Sequence, residues 1–450
     1  MNSLWDKLRS IWTIPDLRNK ILFTLMILLI TRVLANIPVP LTHAETVALV
    51  NLFQTGGNQN LGQLLGLLDV FSGGSLQKFS IVALGVYPYI TATIVMQLLQ
   101  PIIPALENMM REGEAGQLRF NQITRIISVP LAFLQALGQA AIFVQANVLT
   151  NFSLLGPDLN TILSSFSILM ALTSGTMVMV WLGELITENG IGNGVSLIIF
   201  AGIVSNLPNL IGQGWNTAVG NGGGGSGLVS IAVFALIGLV TIVGIVYMYL
   251  GQRRVPIEYP TKRMVGRGLL VGTAQRSFIP MQVNSAGMIP LIFAQSMLIF
   301  PAVIARYLGT SNVGWLQTSA TWVANYIANS ALWYYWAIFF LLVVAFTYFY
   351  AYVLWQQQDI PGSLQKQGAH IPGYRPGETT RRHLGDILNR ITLAGALFLG
   401  IVAVLPYFAN VGGNQLLSSA AVLIAVGVVL DTMRQIESQM VMRNYSGFLT

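Results

Sequence analysis

Residues able to do chemistry are few in this sequence, and none is grouped for it. Cysteine is absent, which excludes disulfides, thiolate nucleophiles and Cys-ligated metals. The three histidines, His43, His370 and His383, form neither an HExxH nor an HxH cluster. No Walker loop, GxSxG elbow or carboxylate pair of catalytic spacing occurs. Thr187-Glu-Asn-Gly-Ile-Gly-Asn-Gly194 is glycine-rich, but it joins two apolar stretches and reads as a tight turn. Catalytic residues, metal ligands and cofactors are therefore not expected, and neither is an enzyme. Coupled transporters bury ionisable groups near the bilayer midplane. Here Glu184, Glu188 and Asp431 stand near the ends of apolar stretches instead, and Arg32 reads as a side chain that snorkels to an interface. What remains is arginine in defined settings: Arg253 and Arg254 at the start of one polar loop, and Arg375 between Pro372 and Pro376 in another. A guanidinium offers a planar fork of donors that fits carboxylates, phosphates and backbone carbonyls.

The elements that must position these groups are membrane spans. Of the 450 residues 54% are apolar and only 9% charged, against about 25% charged in soluble domains. Mean hydropathy is +0.65, and the net charge of +7 has to be read by location rather than as a nucleic-acid footprint. Ten apolar stretches stand out, near 21–37, 78–100, 122–147, 161–186, 195–213, 228–250, 285–305, 332–355, 386–410 and 416–440. With the N-terminus inside, all but three of the 23 Lys and Arg (Arg32, Lys78 and Arg306) fall on the cytoplasmic side or at its interface, which sets the orientation and returns the C-terminus inside. The first stretch lacks a small-residue cleavage site and is read as a retained span. Ten spans divide into a half over 1–214 and a half over 228–450, and an odd number per half makes inverted repeats possible. Between them, residues 215–227 include Asn221-Gly-Gly-Gly-Gly-Ser-Gly227, a flexible linker, natural or engineered, with no assigned function.

Two segments do not fit simple span-and-loop logic. Leu61, Leu64, Leu65, Leu67, Leu68, Val70 and Phe71 form an apolar run that ends at Ser72-Gly73-Gly74. As a helix it reaches about 16 Å, too short to cross. Free backbone groups cannot face lipid, so the run either lies on the outer surface or re-enters a protein-lined cavity as a stopper. The second segment is cytoplasmic. Residues 252–267 alternate apolar and polar around a turn signal, as a projecting hairpin would. Loop 356–385 carries Ile371-Pro-Gly-Tyr-Arg-Pro-Gly377 and Arg381-Arg382, and it is longer than a mere connection needs. The docking loops, about 251–284 and 356–385, suggest a large cytosolic partner, with ribosomal nucleic acid as one target.

With these residues placed, the chain resembles the SecY family, the central subunit of the bacterial protein-conducting channel, over nearly its full length. The resemblance rests on an ordered series: Phe71-Ser-Gly-Gly74, Ala83-Leu-Gly-Val-Tyr-Pro-Tyr-Ile90, Arg111-Glu-Gly-Glu114, Ile186 through Gly194, Ile199-Phe-Ala-Gly-Ile-Val204, Gln252-Arg-Arg254, Val265-Gly-Arg267, Ile371 through Gly377, Asn389-Arg-Ile-Thr-Leu393 and Asp431 through Glu437. It departs from the family pattern at Leu41, around Pro260-Thr261 and at Ser418–Ala421. The resemblance implies an all-α polytopic membrane protein of ten transmembrane helices in two inverted five-helix halves, with a short re-entrant plug helix near 58–72. It implies a pore ring of Val86, Ile90, Ile199, Ile203, Ile292 and Ile424, and a plug carrying Leu61, Leu64, Leu65, Leu68 and Phe71. It also implies a lateral gate between spans 2, 3, 7 and 8 that includes Gln97, through which signal sequences and transmembrane segments reach lipid. Arg253, Arg254 and Arg375 would dock the SecA ATPase or the ribosome, with ribosomal RNA contact, and SecE and SecG would complete the assembly in the plasma membrane. No cofactor is implied. The competing readings are a ten-span secondary solute transporter and a membrane scaffold or insertase without a pore.

Overall fold

The structure is a computed structural model of the chain, and it describes residues 14–42, 45–49, 72–146, 148–149, 152, 159–220, 226–265, 269–287, 289–308, 314–323, 332–375, 377–408 and 419–446. A helix stands at each of the ten apolar stretches. In chain order the helices are α1 Pro15–Leu34, α2 Tyr87–Leu99, α3 Pro104–Arg111, α4 Glu114–Gln145, α5 Leu159–Asn189, α6 Gly194–Gly220 and α7 Ser226–Leu250. A hairpin of β1 Gln252–Val265 and β2 Leu269–Gln282 follows. Then come α8 Ile289–Leu308, α9 Gly314–Trp322, α10 Trp333–Gln358, α11 Ile360–Lys366, α12 Glu378–Phe408 and α13 Ser419–Ser446. Among the described residues, four helices are long and apolar enough to cross a bilayer: Glu114–Val144, Leu159–Asn189, Trp333–Lys366 and Glu378–Leu405. Large apolar side chains such as Leu29, Leu163, Leu236, Leu341 and Ile401 point outward, which lipid accommodates and water would not.

Span 2 differs most from its expected form. The stretch 78–100 reads as one helix, but α2 begins only at Tyr87. Residues 76–86 form consecutive turns closed by i→i+3 bonds, Phe79 N to Leu76 O, Ala83 N to Ser80 O and Gly85 N to Val82 O. Phe79 and Gly85 both take positive φ, which a right-handed helix does not allow. At its other end α2 breaks between Leu99 and Pro104, and α3 turns away by 103°. Pro101 and Pro104 account for the break, since proline lacks an N–H and disfavours helix in the residue before it.

The chain divides into two compact units. The first comprises Met1–Ala232, Ser296–Tyr335 and Asn410–Thr450. Its core gathers Leu76, Phe79, Ala136, Ala140, Phe143 and Leu172, with Phe79 and Phe143 edge to face at 4.7 Å. Within it α2 packs on α4, α4 on α5, α5 on α6, and α6 on α13. The second unit comprises Val233–Gln295 and Trp336–Ala409 and carries the hairpin. That hairpin is longer than the sequence suggests. Its arms pair from Gln252↔Gln282 to Val265↔Leu269, so residues 266–268 join them and Pro260 lies within a strand. At about 3.4 Å per residue each arm runs roughly 45 Å.

Candidate functional site: an apolar constriction and an arginine-bearing platform

The expected ring residues occupy helix starts and helix faces. Val86 is the residue before the first turn of α2, and Ile90 N donates to Val86 O at 3.1 Å, so the two are stacked one turn apart. Val86 is buried and Ile90 half-buried. Ile199 and Ile203 repeat this i,i+4 spacing on α6, both buried. Ile424, on α13, is fully buried in the same unit. Ile292 is buried on α8, in the part of that helix belonging to the second unit. Gln97 is half-buried on α2, and its Oε1 has no hydrogen-bond partner among the described residues. Nearby on the same helix, Thr91 Oγ1 accepts a buried bond from Gln135 Nε2 of α4 at 3.1 Å. Leu61, Leu64, Leu65, Leu68 and Phe71 lie outside the described residues.

The segment just before Val86 is held by polar groups that bond to one another. Ser75 Oγ donates to Ser72 O at 2.6 Å and lies 3.1 Å from Val82 O. Leu76 N donates to Ser72 Oγ, and Ser80 N to Ser75 O. Residues 37–39 pair alongside: Val39 N donates to Phe79 O and Ile81 N to Ile37 O, each at 3.0 Å. In hydrocarbon an unmade backbone bond costs several kcal/mol, which is why irregular chain here needs such ties. Gly73 and Gly74 both take positive φ, and a Cβ on Gly73 would overlap the Gly202 Cα of α6. Arg32, read from its position on span 1 as a snorkelling side chain, has a specific protein partner. Its Nη1 donates to Gly73 O at 3.0 Å.

The polar platform is built differently, around a small core in the second unit. Strand β1 alternates: Val255 and Ile257 point inward, Arg254 and Pro256 outward. The inward side chains meet Met281, Leu364, Ala369, Ile371, Leu384, Ile387, Leu388 and Ile391. An isolated hairpin is marginal in water, so this burial is what holds it. Burying Ile371 and Leu384 contributes about 1.5–3 kcal/mol each. The loop after α11 also adds a backbone bridge, with Glu258 N donating to His370 O and His370 N to Glu258 O at 2.9 and 3.0 Å.

On the outward face the Arg254 guanidinium sits 4.9 Å from the centroid of the exposed Phe278 ring. Arg276 pairs with Glu258 at 3.1 Å. Arg253 is exposed. Arg375 follows a turn in which Tyr374 N donates to Ile371 O at 3.0 Å. Pro372 and Gly373, with φ +85°, fill the two central positions as a type II turn demands. Tyr374 then stacks on His383 at 3.9 Å. The hydroxyls of Thr379 and Thr380 both donate to the Arg375 carbonyl, at 2.6 and 2.8 Å. The Arg375 backbone is thus fixed while its side chain is exposed and, among the described residues, meets no carboxylate. Arg382 differs, bonding to Glu378 at 3.3 Å. Sequence reading missed the Arg32–Gly73 bond, the pairing of Arg125 with Glu184 between α4 and α5, and the His370 bridge. Each joins residues far apart in the chain, and no local spacing encodes them.

The long apolar helices with lipid-compatible outer faces place the chain among multi-pass helical membrane proteins. A family profile described as SecY matches residues 80–433. The chain is 39% identical over 442 residues to the protein translocase subunit SecY of Streptomyces galbus, covering 97% of both chains. It is 40% identical over 445 residues to that of Mycobacterium tuberculosis H37Rv, covering 96% of this chain and 97% of that one. The chain belongs to the SecY family. Among solved structures, it is similar to "The structure of a protein conducting channel", with TM-score 0.56 and 17% identity over 94% of this chain and 93% of that one. It is also similar to Sec61 in the canine ribosome-channel complex from the endoplasmic reticulum, with TM-score 0.54 and 16% identity over 94% and 93%. The fold is that of the protein-conducting channels.

Proposed function

We propose that this chain is the pore-forming subunit of a protein translocase: it passes unfolded preproteins across a membrane and releases transmembrane segments sideways into lipid. The observation that carries this reading is the match to translocase subunits along almost the whole of both chains. A solute transporter has no support in these likenesses. The two halves, 1–214 and 228–450, are inverted repeats joined at 215–227. Val86, Ile90, Ile199, Ile203, Ile292 and Ile424 form the constriction, and apolar side chains that are buried, or half-buried at Ile90, suit it. Such a ring excludes ions by dewetting and closes around any passing side chain without specific contacts, which suits a substrate of arbitrary sequence. The segment near 58–72 is the plug, and spans 2, 3, 7 and 8 with Gln97 form the lateral gate for signal sequences.

The chain works within the plasma membrane, with both termini cytoplasmic. It assembles with SecE and SecG, and the SecA motor or the translating ribosome supplies energy. Arg253, Arg254 and Arg375 are the docking residues, toward SecA or toward ribosomal RNA and protein. The fixed backbone under Arg375 supports that role, because a side chain with a set origin loses less freedom on docking. The test is conductance of the reconstituted assembly in planar bilayers. Ile90→Asn with Ile203→Asn wets the constriction and raises resting ion current. Unchanged current from a normally assembled double variant contradicts the ring.

A further inference from the structure

We propose that α9, Gly314–Trp322, seats in the lipid–water interface of the outer leaflet and anchors the connection between spans 7 and 8 there through its tryptophans. The inference rests on the spans and orientation read above, and under the gate reading it gives lipid a hold on the link between two gate helices. Among the described residues four tryptophans are exposed, and three of them belong to this connection or to the start of α10. Trp315 is 71% exposed, Trp322 57% and Trp333 68%. An indole has an apolar body and one N–H donor, so tryptophan gathers where hydrocarbon meets water.

The geometry of α9 sorts its faces. Trp315 and Trp322 lie about 20° apart around the helix and roughly 10 Å apart along it. Ala320, which is buried, is turned about 140° from Trp315. One edge therefore packs on protein while the tryptophan edge turns away. The nine residues reach only about 13 Å, too short to cross, which leaves the plane of the interface. The chain also keeps α9 near the membrane: it starts six residues after the end of α8 at Leu308, within about 22 Å of it. From Gly309 to Trp333 the sequence holds no charged residue, so nothing there selects an acidic or a basic partner. The hydroxyls of Thr318, Ser319 and Thr321 donate to the carbonyls of Gly314, Trp315 and Gln317, at 2.8, 2.8 and 2.9 Å. Polar groups satisfied within their own helix cost less to take out of water.

The experiment uses the absence of cysteine from the chain. Ser319→Cys, on the tryptophan edge, and Gln317→Cys, on the far side of α9, each carry one environment-sensitive fluorophore in the full chain, assembled and reconstituted in vesicles. Lipids with a nitroxide near the headgroup are expected to quench the Ser319→Cys label about twofold more than the Gln317→Cys label. The result is the same in zwitterionic and anionic vesicles, and aqueous acrylamide shows the opposite order. Adding Trp315→Ser/Trp322→Ser moves the Ser319→Cys label toward acrylamide, whereas Trp315→Tyr/Trp322→Tyr, which keeps amphipathic rings, leaves it in lipid. A Ser319→Cys label reached by acrylamide and not by lipid nitroxide overturns the proposal. A label shielded from both does so too, since protein then covers the tryptophan edge, and so does quenching confined to anionic vesicles. If the double serine variant does not assemble, the two labels in the otherwise unchanged chain decide the case. Orientation is read separately, with a membrane-impermeant thiol reagent expected to reach Gln317→Cys from outside. Reaction from inside alone overturns the outer-leaflet assignment and the orientation it rests on, while the quenching still decides whether α9 lies in lipid.

Discussion

The segment from Ser72 to Ile90 and the platform from Gln252 to Ile391 answer opposite solvent problems. In the first, irregular backbone sits among membrane helices, and it is held by serine hydroxyls, a guanidinium and paired main chain. Apolar contact alone cannot hold it, because lipid offers apolar contact everywhere. In the second, two strands leave the spans, and an apolar cluster around Ile371 and Leu384 holds them while the arginines stay outside. Here the hydrophobic effect does the holding and the arginine side chains stay exposed. The lesson is that polar residues are structural in the first region, whereas in the second they stay exposed and carry the docking role proposed above. The same residue type, arginine, makes the point: Arg32 is bonded to backbone, Arg375 is held out.

Variants in the two regions break this contrast to different degrees. Gly73→Val is the most damaging. Its φ of +67° costs a β-branched residue about 1–3 kcal/mol. Overlap with Gly202 adds roughly 1–3 kcal/mol more. Assembled protein in membranes, measured by quantitative blotting, is expected to fall severalfold. Leu384→Ala empties a fully buried position in the platform and costs about 2–5 kcal/mol. Strands β1 and β2 then become protease-sensitive and motor-driven transport drops, while resting ion current stays at baseline. A leak from Leu384→Ala would erase the distinction between the regions.

Arg375→Glu changes stability by less than about 0.5 kcal/mol, being exposed. It inserts and assembles normally, yet blocks transport of a preprotein into vesicles at matched abundance. Arg382→Glu is the mildest, since it removes only an exposed pair with Glu378 and leaves Arg375 in place. Equal loss of transport from both variants would mean that general loop charge, not the fixed arginine, does the docking.

How far the sequence carried depends on the range of the interaction. Spans such as Leu159–Asn189 were legible because each holds its own apolar run. The turn at Ile371–Tyr374 was legible because Pro-Gly encodes it locally. The late start of α2 was not, since Phe79 takes a positive φ where its ring packs on Phe143, a partner sixty-odd residues away that no local spacing encodes. The hairpin was half legible. Alternation identified β1, but a hairpin within 252–267 was expected, whereas β1 runs to Val265 and its partner strand begins only at Leu269. The partner of Arg32 was not legible for the same reason: its acceptor is a glycine carbonyl 41 residues on.

The central claim is that a polypeptide passes the apolar pair on α2 and the pair on α6. The most direct measurement places a photocrosslinking residue at Ile90, at Ile203 and, for reference, at the outward-facing Leu163 of α5, and arrests a preprotein in mid-transport. The account predicts that Ile90 and Ile203 each crosslink to the arrested chain and Leu163 does not. Crosslinking at Leu163 with none at Ile90 and Ile203 would contradict it.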